Sequence, residues 1–250
     1  VHVARDEEPT LVWERPEPPS RPTLSPLSRD RIVGAAIELA DAEGLGAVSL
    51  RKVAAELDAG PMRLYGYLST KDELLDLMVD TVYGEIELPA EGDWRAVQRS
   101  LARSVRQAAL RHEWFVDLLG GRPHLGPNAL AYLEASLAAL DRAFDVDTAM
   151  RASGAVHAYV MGAVRGEITE RRAEQATGMD ERQWQAASSP YLSRMLATGR
   201  YPTLAKVMRE SSDVAPDVAF DAGLDYVLDG IARLTLLNRS SSQWLPSPGS

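Results

Sequence analysis

Between Ser49 and Tyr67 the chain sets two helix starts on either side of a three-residue corner. Ser49 carries a side-chain oxygen that can accept from a backbone N–H two or three residues on, which satisfies one of the unpaired donors at a helix start. Leu50, Val53, Ala54 and Leu57 follow at a spacing that gathers them on one helical face. Asp58, Ala59 and Gly60 make the corner. Pro61, with a fixed φ and no N–H to leave unpaired, then opens a second short helix to Leu68.

The flanks carry the same punctuation. Ser28 can cap a helix in which Ile32, Ala35, Ala36, Leu39 and Ala40 share a face, and Gly44 and Gly46 end it. Thr70 and Glu73, three apart, form a capping-box pattern ahead of Leu74, Leu75, Leu77, Met78 and Val82. A helix followed by two short helices around a tight turn is the geometry that sets the second of the pair into a DNA major groove. The reader in that arrangement is Pro61 to Leu68.

Beyond Pro89 the sequence reads as helix after helix. The expected segments are Asp93 to Arg111, a short piece through Trp114 and Leu118, Asn128 to Phe144, Thr148 to Arg172, several short helices between Glu181 and Arg209 broken near Pro190 and Pro202, and Asp217 to Leu237. No sustained alternation of β-branched residues occurs, so the fold class is all-α: a three-helix DNA-binding domain with a helix-turn-helix, then a larger helical domain. The expected boundaries are a flexible Pro-rich arm over 1–27, the helix-turn-helix domain over 28–81, the helical domain over 82–239 and a disordered tail over 240–250. Pro9, Pro16, Pro18, Pro19, Pro22 and Pro26 deny the arm a continuous helix. Its Arg5, Arg15 and Arg21 are interleaved with acids, so it reads as a solvated tail or, alternatively, as an arm touching DNA or a partner. Trp13 is its one residue suited to anchor on the folded body.

Composition narrows the function classes. The chain of 250 residues has no cysteine, which removes disulfides, thiolate metal sites and cysteine nucleophiles and fits a cytoplasmic protein. No apolar run of about 18 residues is long enough to span a membrane, and Val1 to Ser28 lacks a secretory signal pattern. No His-x-x-x-His or dense carboxylate spacing points to a metal, no cofactor is implied, and no nucleophile, base and orienting group share a pattern, so an enzyme is not expected. The net charge of −9 opposes nucleic-acid binding as a whole-chain property, but a small face can differ in sign from the rest.

Arg63 is the residue suited to read a base edge, because guanidinium donors match the paired acceptors of guanine. The bland alternative is a surface charge. Pro61 and Met62 can meet a thymine methyl or a sugar. Ser49, Arg51 and Lys52 fit phosphate contacts at the start of the supporting helix, and Tyr65, Tyr67 and Lys71 at the reader's other flank. Either tyrosine reads equally as core with a satisfied hydroxyl, and Lys71 as a solvated cap residue.

The chain resembles the tetracycline-repressor-type (TetR/AcrR) family of bacterial regulators over Ser28 to about Met78. The resemblance rests on Val48-Ser49-Leu50-Arg51-Lys52-Val53-Ala54-Ala55-Glu56-Leu57, on Leu64-Tyr65-Gly66-Tyr67-Leu68, and on Lys71-Asp72-Glu73-Leu74-Leu75, in order after Ala42-Glu43-Gly44-Leu45. The remainder is similar to actinobacterial members with a tetracycline-repressor-like C-terminal domain. The resemblance implies phosphate contacts at Ser49, Arg51, Tyr65, Tyr67 and Lys71, with Gly60 to Arg63 opening the reader. Gly66 departs from the family pattern, which often has a bulky side chain there.

The resemblance further implies a homodimer on a palindromic double-stranded operator, with Thr148 to Gly166 and Asp217 to Leu237 forming the interface. Gly154, Ala155, Ala158 and Gly162 would allow close approach there, or pack within one subunit; Leu224, Leu228 and Ile231 are the candidates for its other half. It implies repression relieved by a small-molecule effector, the alternatives being a ligand-assisted activator or a helical protein-interaction module. Polar and aromatic residues among apolar helical positions, His112, Trp114, Phe115, Tyr132, His157, Tyr159 and Trp184, are the candidates for an effector pocket.

Overall fold

The caps close as the sequence punctuates them. In the computed structural model, which describes residues 11–18, 26–89, 92–120, 123–212 and 214–241, Ser28 Oγ accepts from Arg31 N at 3.3 Å and starts α1, Arg29–Glu43. Ile32, Val33, Ala36, Ile37, Leu39 and Ala40 are its buried face. Gly44, at φ 82°, ends it in a conformation that side chains resist. Ser49 Oγ accepts from Lys52 N at 3.2 Å and starts α2, Leu50–Glu56. Asp58, not a glycine, takes the left-handed position of the corner at φ 48°, a conformation that Asp tolerates better than most residues.

The reader helix α3 is Pro61–Leu64, shorter than the Pro61 to Leu68 expected. The chain goes on in tight turns, with Gly66 N donating to Arg63 O and Tyr67 N to Leu64 O. Gly66 weakens helix continuation, and Tyr67 turns inward instead. Thr70 Oγ1 accepts from Glu73 N at 3.1 Å to start α4, Lys71–Gly84. The reciprocal half of the expected capping box is displaced by one residue: the Glu73 carboxylate accepts from Ser69 N at 2.7 Å.

The next helices are α5, Trp94–Arg111, α6, Phe115–Leu118, and α7, Pro127–Asp141. The start of α7 has no cap from its own sequence neighbours. Asp80 of α4 supplies it: Oδ1 accepts from Asn128 N at 3.0 Å and Ala129 N at 2.9 Å, and Asn128 Nδ2 donates to the Asp80 backbone carbonyl and to Oδ2, each at 3.1 Å. Gly126 leaves room for this, since a Cβ there would lie 2.2 Å from Asp80 Oδ1. The helices that follow are α8, Val146–Thr177, α9, Glu181–Ala197, α10, Pro202–Glu210, and α11, Pro216–Ser241. The described residues contain no strand.

The chain divides into two compact units, Val1–Ser153 and Gly154–Ser250. The division falls inside α8, and within the first unit α4 packs against α1, α5, α6 and α7. In this unit Gln98, fully buried, donates through Nε2 to Ser136 O at 3.0 Å and to Ser136 Oγ at 3.1 Å.

In the second unit Val160, Val164 and Ile168 of α8 and Phe220, Leu224, Leu228 and Ile231 of α11 are buried. Tyr159 Oη donates to Phe220 O at 2.7 Å, over Gly223, where a Cβ would lie 2.3 Å from that hydroxyl. Two expectations are corrected here. Leu224, Leu228 and Ile231 belong to the interior of this chain and not to an open face, whereas Gly154, Ala155, Ala158 and Gly162 are exposed. The break expected near Pro190 is absent: α9 runs through it, on a helix with no buried residue, where solvent can take up the carbonyl that proline leaves unpaired.

The arm over 1–27 is not simply solvated. Its segment 11–18 lies on the first unit with Val12 buried and Arg15 bonded to Ser69 Oγ and Glu73, and Trp13 is half-buried. Arg5, Arg21 and the tail from 242 onward lie outside the described residues.

Candidate nucleic-acid interface

The short helix α3 buries a single residue, Leu64, and that choice fixes what points outward. With Leu64 held in the core, Pro61, Met62 and Arg63 are exposed, Met62 at 80%. Gly60 has ordinary extended angles (φ −68°, ψ 136°) and leaves the start of the reader without a side chain. Tyr65 follows at 52% exposure. Arg63 and Tyr65 thus stand on the outer side of a rigid corner, with Arg51 exposed on α2 and Lys71 exposed at the start of α4.

Three of the sequence-nominated residues have other attachments. Tyr67 is 7% exposed and its hydroxyl donates to Leu27 O at 2.8 Å, so this proton is not offered to a phosphate; it ties the turn after the reader to the chain just before α1. Arg29 Nε reinforces that tie by donating to Tyr67 O at 3.3 Å. Lys52 lies 2.5 Å from Glu43 Oε2 at the end of α1. Ser49 remains exposed, with Oγ engaged as the α2 cap.

The nominated pocket residues do not form one group. Phe115, Trp114 and Tyr132 gather around Tyr83 of α4: Tyr83 and Phe115 meet edge to face at 5.3 Å, Tyr83 and Tyr132 at 5.3 Å, and Trp114 and Phe115 edge to face at 6.4 Å. Burial pushes the Tyr83 hydroxyl up to about 12 and raises that of Tyr132 as well, so both stay neutral and able to donate a hydrogen bond. His112 sits at a polar junction next to this cluster, its Nδ1 2.9 Å from Asp41 of α1 and its Nε2 3.3 Å from Glu85 after α4. Trp114 Nε1 donates to the same Asp41 carboxylate at 2.6 Å. In the second unit, Tyr159 is engaged with Phe220, Trp184 is 59% exposed on α9, and His157 is exposed on α8 with partial desolvation lowering its pKa.

A cavity of about 210 Å³ opens against Asp72, Leu75, Asp76, Val79, Leu118 and His124, none of them nominated from sequence. Sequence reasoning also missed Tyr83, Asp41, Glu85 and Asp80. Tyr83 alone left a trace, as an aromatic residue four positions after Val79, one helical turn on along the α4 core face. Among the described residues no helix is long and apolar enough to cross a membrane, and no group of three or more His, Cys, Asp or Glu is placed to hold a metal ion.

A capped helix-turn-helix with an exposed arginine on its second helix, continued by a larger all-helical body, has a direct match among known proteins. The family model for bacterial regulatory proteins of the tetR family matches residues 32–78, and that for the tetracyclin repressor-like C-terminal domain matches residues 88–235. The chain belongs to the TetR family of DNA-binding transcription regulators.

Within that family it is 38% identical over 245 residues to the HTH-type transcriptional repressor DrrR1 of Streptomyces coeruleorubidus, covering 96% of this chain and 89% of that one. It is 29% identical over 226 residues to the class A tetracycline repressor of Escherichia coli from transposon 1721, covering 87% and 96%. Among solved structures, ActR of Streptomyces coelicolor in complex with actinorhodin superposes with a TM-score of 0.71 at 28% identity, covering 84% of this chain and 99% of that one.

Proposed function

We propose that this protein is a transcriptional repressor that binds a palindromic operator as a homodimer and releases it when a small molecule binds. The observation that carries the DNA reading is the exposed Arg63 on a reader held by Leu64, flanked by exposed Arg51, Tyr65 and Lys71. Arg63 would read a guanine edge, with Met62 and Pro61 in apolar contact beside it. Arg51, Lys71, Ser49, Tyr65 and the open backbone at Gly60 would position the reader through phosphates. Repression is the reading favoured by the similarity to DrrR1 and the class A tetracycline repressor, both repressors.

The dimer is supported by a face of small residues. Gly154, Ala155, Ala158 and Gly162 are exposed on α8, and a Cβ built at Gly154 or Gly162 would meet nothing within 4 Å among the described residues apart from its own chain neighbours and helix backbone. On α11, Tyr226 is 77% exposed. A two-fold pairing through these helices would double a contact patch too small to hold DNA alone.

The effector site of this reading is the Tyr83, Phe115 and Tyr132 cluster and the cavity beside it, which His124 links to Tyr83. Both border α4, the helix that begins at the reader's flank, so a ligand there would shift the helix that follows the reader and, through the turn between them, the reader itself. ActR was solved with actinorhodin, which makes that compound the first to test. Selection of bound sequences from a random DNA pool by the full chain tests the reading. A palindrome with half-sites about one helical turn apart supports it, and failure to enrich any sequence refutes the regulator reading. Titration of the selected duplex with actinorhodin and related aromatic compounds then tests ligand control, and an operator affinity unchanged by all of them argues against it.

A further inference from the structure

We infer that the N-terminal segment Leu11–Pro18 is a working part of the DNA-binding unit, in which Arg15 acts as a positioning residue that holds the loop after the reader and cancels the charge of Glu73. The inference rests on the DNA-binding reading above and assigns a role to a segment outside the helix-turn-helix.

The segment is attached at four points. Val12 is 3% exposed and anchors it. Arg15 donates through Nη1 to Ser69 Oγ at 2.5 Å and pairs through Nη2 with the Glu73 carboxylate. Glu17 accepts from Arg29 N, in the first turn of α1, at 3.3 Å. Pro18 lies over Gly66, where an added Cβ would stand 3.5 Å from Pro18 Cγ and 3.3 Å from Arg63 O. These eight residues therefore bridge the start of α1, the turn after the reader and the first turn of α4. Gly66, which departs from the family pattern, is the place where the arm lies.

The consequence is electrostatic as well as mechanical. Glu73 stands two residues from Lys71, at the flank expected to meet phosphates, and a carboxylate there repels DNA within the ~10 Å reach of charges at ordinary salt. Arg15 neutralises it, while Ser69 N and Arg15 together fix its position. Arg15 is not itself placed to hold a phosphate, because Nη1 and Nη2 both have protein acceptors and Nε is buried. Its effect on DNA must pass through Glu73 and Ser69.

The test compares wild type, Arg15→Gln, Glu73→Gln and the double variant, all as full chains, on the duplex selected by the wild type, with thermal unfolding alongside. Arg15→Gln is expected to weaken operator binding about tenfold for a dimer, two modest charge effects acting together. Glu73→Gln keeps an acceptor for Ser69 N and removes the charge, so the double variant should recover to within about threefold of wild type, with the salt slope unchanged throughout. Unchanged binding by Arg15→Gln overturns the inference. So does a double variant as weak as the single with a salt slope reduced by about one per protomer, which would make Arg15 a direct phosphate contact. A double variant that binds as weakly and melts as early as the single overturns it in favour of a purely structural arm. If the wild type selects no sequence, the regulator reading falls and this one with it.

Discussion

Replacing Asp80 with alanine removes the one group that starts α7. The carboxylate is buried and takes two backbone N–H groups, from Asn128 and Ala129, and the Asn128 amide at 2.9 to 3.1 Å. Hydrogen bonds to a charged acceptor contribute about 1.5–3 kcal/mol each, and a buried donor left unpaired costs about 1–3 kcal/mol. These bonds share one acceptor and are not additive. Asn128 is exposed enough to regain water, but Ala129 is buried, so its N–H has no solvent to turn to. The expected loss for Asp80→Ala is therefore about 3 kcal/mol, which for a chain of this size lowers Tm by about 6–12 °C. Asp80→Asn keeps one oxygen for the two backbone donors and should lose about half as much. Far-UV circular dichroism melts at one fixed protein concentration read this, since Tm of an associating protein depends on concentration. An Asp80→Ala protein melting within about 2 °C of wild type would refute the claim that α4 caps α7.

Arg63→Ala should weaken the selected operator by about 1–3 kcal/mol and flatten preference at one base pair of each half-site, checked by repeating the selection with the variant. Lys71→Ala should weaken binding to all duplexes evenly and reduce the salt slope by about one per protomer in an anisotropy titration across salt concentrations; a change in base preference would contradict its phosphate role. Asp58→Val places a β-branched residue at φ 48° and should cost about 1–2 kcal/mol, whereas Asp58→Gly should melt at or above the wild-type temperature. Equal melting of the two variants would show that the corner is not strained.

What the sequence made legible is what local chemistry decides. Ser28, Ser49 and Thr70 cap helices because the acceptor and donor are three residues apart, and the periodicity of Ile32 to Ala40 needs only a common interior. Tyr65 and Tyr67 mark the limit. They are two apart, chemically identical and equally nominated, yet one is exposed and the other buried, because Leu27 O, 40 residues away in sequence, meets the second hydroxyl. The same holds for Asp80 and Asn128, 48 residues apart, and for Arg15 and Glu73, 58 apart. The aromatic candidates failed to separate for a related reason: Phe115 and Tyr132 find each other through Tyr83 of α4, while Trp184 has the same sequence signature on a helix with no buried residue.

The acidity of the chain also reads differently once partners are placed. Between residues 28 and 81 acids outnumber bases, which argues against DNA if all charges act alike. They do not act alike. Asp41 is turned to His112 and Trp114, Glu43 to Lys52, Glu73 to Ser69 and Arg15, and Asp80 is buried on the start of α7. These acids serve the junctions of the unit, whereas Arg51, Arg63 and Lys71 stand exposed on the helix-turn-helix and its flank. Screening at physiological salt confines each charge to roughly 8 Å, so the phosphates meet the local set and not the sum. On the reading proposed above, a domain built this way has little affinity for arbitrary DNA, and its binding would depend on presenting two matched copies of a small face at the right spacing. The proposed ligand control would need only a modest shift in α4 to release an operator under this condition, because no broad basic surface would remain to hold the protein on DNA.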